Sequence, residues 1–299
     1  MFQEGFTESL AKLPIFMGLS QNERIILCQE IGLVFDLIAG ETIAVEGEED
    51  DSVVIVLSGQ LSVQLRGVEL AQLGPGSLLG ERALFGIPGA RGATLTTLRP
   101  CKLLIIPQAQ LREVRTRYSP IMAHLEDRAL MSMARRLRRT RDHAASGTHV
   151  QATFRQPPTA SAKVTMLLSA LQEHGLPLKV ERMRPRSVLV REGSGVLDAW
   201  WVHEGQVGVY HTDWGGSHRQ LYSMTPGWFI GTVSLIGGQT TATTLVSEAP
   251  TTLLRLPRSM YARLRGSEHP LAHQLRTVFC HQLSAKLYTA NQMLVRSAA

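Results

Sequence analysis

Asp51-Ser-Val-Val-Ile-Val-Leu-Ser-Gly-Gln-Leu-Ser-Val-Gln-Leu65 is the stretch that decides the fold class. It holds two runs rich in branched apolar residues, 51–58 and 60–65, partly alternating and broken at a glycine turn, the pattern of paired β-strands. The same signals return at Leu197-Asp-Ala-Trp-Trp-Val-His203 and Gln206-Val-Gly-Val-Tyr210. Working outward, Glu46-Gly47, Ser58-Gly59, Pro75-Gly76, Gly80, Ala93-Thr94 and Pro107 recur as Glu192-Gly193, Glu204-Gly205, Pro226-Gly227, Gly231, Ala242-Thr243 and Pro257. The offsets are 146, 146, 151, 151, 149 and 150 residues, so one domain occurs twice. Many short strands punctuated by glycine turns predict a jelly-roll-like sandwich in each copy.

The flanks read as helices. Ser20 is placed as an N-cap, with Glu23 completing a capping box ahead of Ile25, Ile26 and Ile31. Amphipathic runs follow each copy, around Ile121 to Leu137 and Leu271 to Leu294. The segment from Asp142 to Ala160 is rich in Ala, Gly, Thr, Gln and Pro and reads as a linker. The expected organisation is mainly β with flanking helices (α+β): a β-roll domain over 1–141, a linker over 142–160, and a second, degenerate roll over 161–299.

One segment carries chemistry: Gly80-Glu-Arg-Ala-Leu-Phe-Gly-Ile-Pro-Gly-Ala-Arg91-Gly-Ala-Thr94. It resembles the phosphate-binding cassette of the cyclic-nucleotide-binding domain family, which includes the catabolite activator protein and the regulatory subunits of cyclic-AMP-dependent protein kinase. The matching residues are Gly80-Glu81, Ala83-Leu84, Arg91 and Ala93-Thr94. The resemblance extends over the whole first copy, through Leu13-Pro-Ile-Phe16, Leu19-Ser20, Gly40-Glu41, Glu46-Gly47, Ser58-Gly59 and Leu73-Gly-Pro-Gly76.

The residue types suit such a ligand. An arginine fork grips two phosphate oxygens through charge-assisted hydrogen bonds. A carboxylate such as Glu81 accepts from a ribose 2′-hydroxyl and also orients the arginine. Gly80 allows close backbone approach, and the turn after it presents amide groups suited to an anion. The resemblance implies that Glu81 takes the ribose and that Arg91, with the amides near Ala83 and Leu84, takes the phosphate. Arg82, Gly92 and Ala93 complete the expected ligand contacts. In the family a hydroxyl residue directly after the phosphate arginine favours guanine. Gly92 stands there, so the resemblance implies cyclic AMP, with cyclic GMP as the alternative.

In the second copy, aligning Gly231 with Gly80 puts Thr232 at the place of Glu81. Aligning Ala242-Thr243 with Ala93-Thr94 puts Thr240 at the place of Arg91. Two threonines cannot neutralise a buried phosphodiester. The second roll is expected not to bind a cyclic nucleotide in the usual way, which leaves it either another ligand or a packing and docking role.

Bulk properties narrow the remaining classes. The chain has 299 residues, 44% apolar and 19% charged, and no apolar run long enough to span a membrane. Three well-separated cysteines and an N-terminus without signal-peptide regions predict a cytoplasmic protein with reduced thiols. The net charge is +6, and nine arginines fall between Arg112 and Arg141. They form a solvated face, a docking site for an acidic protein or a nucleic-acid patch. Nucleic acid is disfavoured, because no further helix-turn-helix module follows either roll. His269 and His273 share a helical spacing but lack a third ligand, so no metal is expected. No catalytic domain has room, and no enzyme is predicted. The four tryptophans, Trp200, Trp201, Trp214 and Trp228, all lie in the second half, as core and loop aromatics or as an interaction surface. Leu275, Phe279, Leu283, Leu287, Ala290 and Leu294 form a stripe on the last helix, which packs on its own roll or forms a homodimer seam. The function expected is a cyclic-nucleotide sensor that transmits binding in the first roll to a partner protein. The alternatives are an assembly protein with docking rolls and a vestigial site, and a nucleic-acid-binding regulator acting through the arginine helix.

Overall fold

A computed structural model of the chain describes residues 4–145, 152–154, 158–176, 178–195, 198–212 and 218–298. The first copy begins with α1 (Glu4–Ala11) and α2 (Gln21–Ile26), the latter running on into a π-turn to Ile31. Its strands are β1 (Leu33–Leu37), β2 (Thr42–Ala44), β3 (Val53–Ser58), β4 (Leu61–Leu65), β5 (Val68–Leu73) and β6 (Leu78–Leu79). A one-turn helix, α3 (Glu81–Leu84), precedes β7 (Thr94–Thr97) and β8 (Cys101–Ile106), and then come α4 (Gln108–Arg117) and α5 (Ser119–Ala145).

The second copy comprises β9 (Ala152–Phe154), α6 (Pro158–Glu173), β10 (Lys179–Met183), β11 (Val188–Val190), β12 (Ala199–Glu204), β13 (Val207–Thr212) and β14 (His218–Met224). It continues with β15 (Phe229–Ile230), α7 (Thr232–Gly237), β16 (Thr244–Ser247), β17 (Thr251–Leu256), α8 (Arg258–Leu264) and α9 (Pro270–Ala298). Packing divides the chain into two units, Met1–Ser132 with Leu294–Ala299, and Met133–Met293. The division falls inside α5. Of the linker expected over 142–160, residues 146–151 and 155–157 lie outside the described residues.

Each copy is a pair of sheets. The first has β1-β8-β3-β6 and β2-β7-β4-β5, all antiparallel. The second repeats this order as β10-β17-β12-β15 and β11-β16-β13-β14, with β9 added parallel to β14 at its edge. The core lies between the sheets. Val54, Val56 and Leu103 of one sheet meet Ala44, Leu61 and Leu95 of the other. Val53 and Ile55, on the opposite face of β3, are buried too. That strand therefore reads as a continuous apolar run instead of alternating strictly.

Sequence chemistry accounts for the flanks. Ser20 caps α2 through its hydroxyl to the Glu23 amide, and the Glu23 carboxylate accepts from the Ser20 amide at 2.7 Å. The Ser20 hydroxyl also donates to that carboxylate at 2.7 Å, and this bond, with the one from the Ser20 amide, holds the Glu23 carboxyl below its usual range. On α5 the stripe Ile121, Leu125, Ala129, Met133 and Leu137 is buried throughout, while Arg135 and Arg139 are exposed. α9 packs on its own roll: Phe279 meets Phe229 edge-on at 5.3 Å, and Gln282 and Lys286 bond the Phe229 amide and carbonyl at 2.7 and 2.8 Å. Trp200, Trp201 and Trp228 are core residues, at 5% exposure or less. Trp214 lies outside the described residues. Cys28, Cys101 and Cys280 are free and buried, and burial pushes the Cys28 thiol up to about 12.

Candidate functional site: the first-roll cassette

The chain enters α3 through Gly80, whose φ of +75° lies in the left-handed region. A Cβ there would stand 2.3 Å from the Ser52 carbonyl oxygen and 2.8 Å from Arg91 Nη1. Glycine is therefore required both by conformation and by space, and the turn opens directly beside the Arg91 guanidinium. Glu81, Ala83 and Leu84 are buried, at 8%, 7% and 0% exposure. The Ala83 amide donates to the Gly80 carbonyl at 2.9 Å, so it is engaged within the turn itself. Arg82 is exposed and reaches back to the Pro88 carbonyl. Gly92 is exposed and Ala93 half-buried.

Arg91 is fastened on three sides. Its backbone is clamped by Gly47 N to Arg91 O at 2.9 Å and Arg91 N to Glu48 O at 2.8 Å. Its side chain, 8% exposed, donates from Nε to Asp50 Oδ2 at 3.1 Å and pairs with the same oxygen through Nη2. Nη2 also meets the Ser52 carbonyl and hydroxyl at 3.0 and 2.8 Å. The Asp50 grip is side-on, and it leaves Nη1 beside the Gly80 turn. Burial alone would raise the Asp50 carboxyl, but the bonds from Arg91 and Ser52 outweigh it and hold the group below its ordinary value. Sequence reasoning missed Asp50, which grips the arginine side-on. The only sequence signal for it is the acidic run Glu48-Glu-Asp-Asp51 before β3.

A second arginine ties the cassette to the helices. Arg115 of α4 donates to the Leu84 carbonyl at the end of α3, and its Nη1 meets Glu126 Oε1 of α5 at 3.0 Å. Glu126 is 1% exposed. A buried carboxylate needs such a cation, since an uncompensated charge there is strongly destabilising.

A sequence profile described as the cyclic nucleotide-binding domain matches residues 35–118 and 180–267, more than half of the chain. The chain belongs to the cyclic nucleotide-binding domain family. It is similar to the CRP-like cAMP-activated global transcriptional regulator of Mycobacterium tuberculosis, 29% identical over 46% of this chain and 61% of the relative. It is also similar to a cAMP-dependent protein kinase regulatory subunit of Yarrowia lipolytica, 36% identical over 25% of this chain and 20% of the relative. The chain thus spans less than two thirds of either relative. Among solved structures, the regulatory domain of Toxoplasma gondii PKA with cAMP is 19% identical, covers 90% of this chain and 95% of that one, and has a TM-score of 0.33. The relatives' names are those of regulators.

In the second cyclic nucleotide-binding domain, Gly231 repeats the left-handed entry of Gly80, with φ +79°, and Thr232 follows it where Glu81 stands. The backbone clamp corrects the other correspondence. Gly193 N donates to Thr241 O at 2.8 Å and Thr241 N to Ser194 O at 2.9 Å, the same pair of bonds that holds Arg91. The Glu46 amide bonds the Thr94 hydroxyl and the Glu192 amide bonds the Thr244 hydroxyl, each at 3.0 Å. Thr241, not Thr240, therefore occupies the place of Arg91, and Thr243-Thr244 matches Ala93-Thr94. The shorter second loop shifts the apparent repeat by one residue. Counting from the prolines near the start of α5 and α9, Pro120 and Pro270, Arg276 stands where Glu126 does. Arg276 instead bonds the Ser267 carbonyl at 3.0 Å.

No helix among the described residues is long and apolar enough to cross a membrane. Among them, no cluster of three or more His, Cys, Asp or Glu is placed to hold a metal. His269 accepts a hydrogen bond from the Leu271 amide at 3.2 Å, in the first turn of α9.

Proposed function

We propose that the first roll binds a cyclic nucleotide, cyclic AMP in preference to cyclic GMP, and passes the binding event to a partner protein through α5. Arg91 takes the phosphate with Nη1, Glu81 takes the ribose hydroxyl, and Gly80, Arg82, Ala83, Leu84, Gly92 and Ala93 line the ligand. Asp50 orients Arg91. The observation that carries this reading is the buried guanidinium, held side-on by Asp50 with Nη1 turned to the Gly80 entry. The names of the relatives support cyclic AMP. Ligand that draws the Ala83 amide away from Gly80 shifts α3, and the Leu84–Arg115–Glu126 chain carries that shift to α5. The arginines on the outer face of α5 then meet an acidic effector in one of two arrangements, whose populations the ligand sets by its differential affinity. Calorimetric titration with both cyclic nucleotides tests the reading. Saturable cyclic AMP binding that is lost in Arg91→Ala is expected; no binding, or binding indifferent to Arg91, rejects it.

A further inference from the structure

Away from the cassettes, the second roll holds a cavity of about 270 Å³ where the chain leaving α6 meets α8 and the start of α9. None of its lining residues belongs to the second cassette, Gly231 to Thr244. Its floor is apolar: Leu264 and Leu271 are 7% and 2% exposed, and Met260 is half-buried. Its rim is polar and exposed, with His174, Arg263 and His269.

The fold sets the donors on that rim. His269 caps α9, its Nδ1 accepting from the Leu271 amide at 3.2 Å. An accepting Nδ1 leaves the ring proton on Nε2, which is therefore a donor. His174 Nδ1 donates to the Ala170 carbonyl at 2.8 Å, and its ring meets His269 edge-on, with centroids 5.3 Å apart. Ser267, also in the wall, accepts from the His269 amide at 3.1 Å through its hydroxyl and from Arg276 at 3.0 Å through its carbonyl. Arg263 has no ion pair among the described residues. The first roll differs at this corner. Counting from Pro120 and Pro270, Glu113 stands where Arg263 does and Ser119 where His269 does. Tyr118 there donates to Glu30 at 2.7 Å. The cation and the imidazole are thus features of the second roll alone.

We propose that this cavity binds a small organic carboxylate, whose ring or short chain lies on the apolar floor while its carboxylate meets Arg263 and His269 Nε2 at the rim. A guanidinium and an imidazole N–H satisfy the two oxygens by charge-assisted hydrogen bonds, and the guanidinium supplies the counter-charge. A cavity of about 150 Å³ is enough for benzene, so this one has room for a benzene-sized body together with its carboxylate. An organic amine would meet Arg263 with like charge. An anion without an apolar body would leave Leu264 and Leu271 uncovered and gain nothing from burial. The inference stands on the second roll and does not rest on nucleotide binding in the first.

The test is a ligand-observed NMR titration of the full chain with benzoate and hexanoate. Acetate, which keeps the charge without the body, and benzyl alcohol, which keeps the body without the charge, are the comparators. Saturable binding of benzoate or hexanoate is expected, with both comparators at least about tenfold weaker. Arg263→Glu, which reproduces the first roll's Glu113, should weaken binding by at least about tenfold. His269→Ser keeps an N-cap and reproduces Ser119 but removes the Nε2 donor, and should weaken it by about threefold. Both residues are exposed, so neither variant disturbs the core. Arg91→Ala should leave binding unchanged. The proposal is overturned if neither carboxylate binds saturably, if acetate or benzyl alcohol binds as well, if Arg263→Glu or His269→Ser binds as the wild type does, or if binding is lost with Arg91→Ala.

Discussion

Arg115 Nη1 lies 3.0 Å from Glu126 Oε1, and the same guanidinium donates to the Leu84 carbonyl at the end of the cassette helix. One side chain thus joins α3, α4 and α5 within the first unit. The second roll has Arg276 at the corresponding place and uses it on the Ser267 carbonyl. The loss of the ligand charges and the loss of this buried pair occur in the same copy. That coincidence accords with the proposal that the first roll responds to ligand and the second does not.

Glu126→Gln should lower stability by about 2–3 kcal/mol, because it leaves Arg115 facing a neutral group in a largely buried setting. Cyclic nucleotide affinity should change little, since Glu126 lies outside the cassette. Hydrogen exchange is the discriminating measurement. In the wild type, ligand should raise protection along residues 112–140 more than along α9. In Glu126→Gln the rise should stay within residues 80–94. Equal responses in both proteins would remove this pair from the signal path.

Arg91→Ala should weaken cyclic nucleotide binding by at least about tenfold, the value of a charge-assisted pair in such a site. Arg91→Lys should recover only part of the loss, because a point charge cannot both hold Asp50 side-on and present a second donor at the Gly80 turn. Calorimetry on the three proteins gives the ranking directly.

Asp50→Asn should weaken binding by roughly threefold to tenfold, less than loss of Arg91 itself, because the arginine remains but is no longer held by a charge. The pH dependence follows from the same group. Its folded-state value is depressed, so its contribution is fully present above the ordinary carboxylate value and is lost as pH falls through the lower, folded one. Its share of the acid-induced loss should therefore begin below about pH 4 in the wild type and be absent in Asp50→Asn. Thermal unfolding between mildly acidic and strongly acidic buffers checks this; an identical acid limb in the two proteins would contradict it.

Cyclic AMP should bind with a stoichiometry near one per chain. Thr232 and Thr241 replace Glu81 and Arg91 in the second roll, and a threonine hydroxyl cannot neutralise a phosphodiester as a guanidinium does. A stoichiometry near two, reduced to one by Arg91→Ala, would show that the second roll takes the charged ligand by other contacts.

Much of this protein follows from chain order alone. The twofold repeat, the glycine turns, the Ser20 capping box, the buried stripe of α5 and the cassette from Gly80 to Thr94 are local, because turn chemistry and helical period involve residues a few positions apart. The loss of both ligand charges from the second copy is legible for the same reason. Tertiary structure decided the rest. Thr241 takes the place of Arg91 because two backbone bonds to residues 193 and 194 set the loop register, which a count along a shortened loop misplaces by one. Asp50 grips Arg91 from 41 positions away, and Leu84, Arg115 and Glu126 meet only when three elements pack. Within the expected linker, Ala152–Phe154 becomes a strand only because the edge of β14 offers it backbone partners. Side-chain pairing through space depends on how the sheets and helices close, and no periodicity in the sequence encodes that distance.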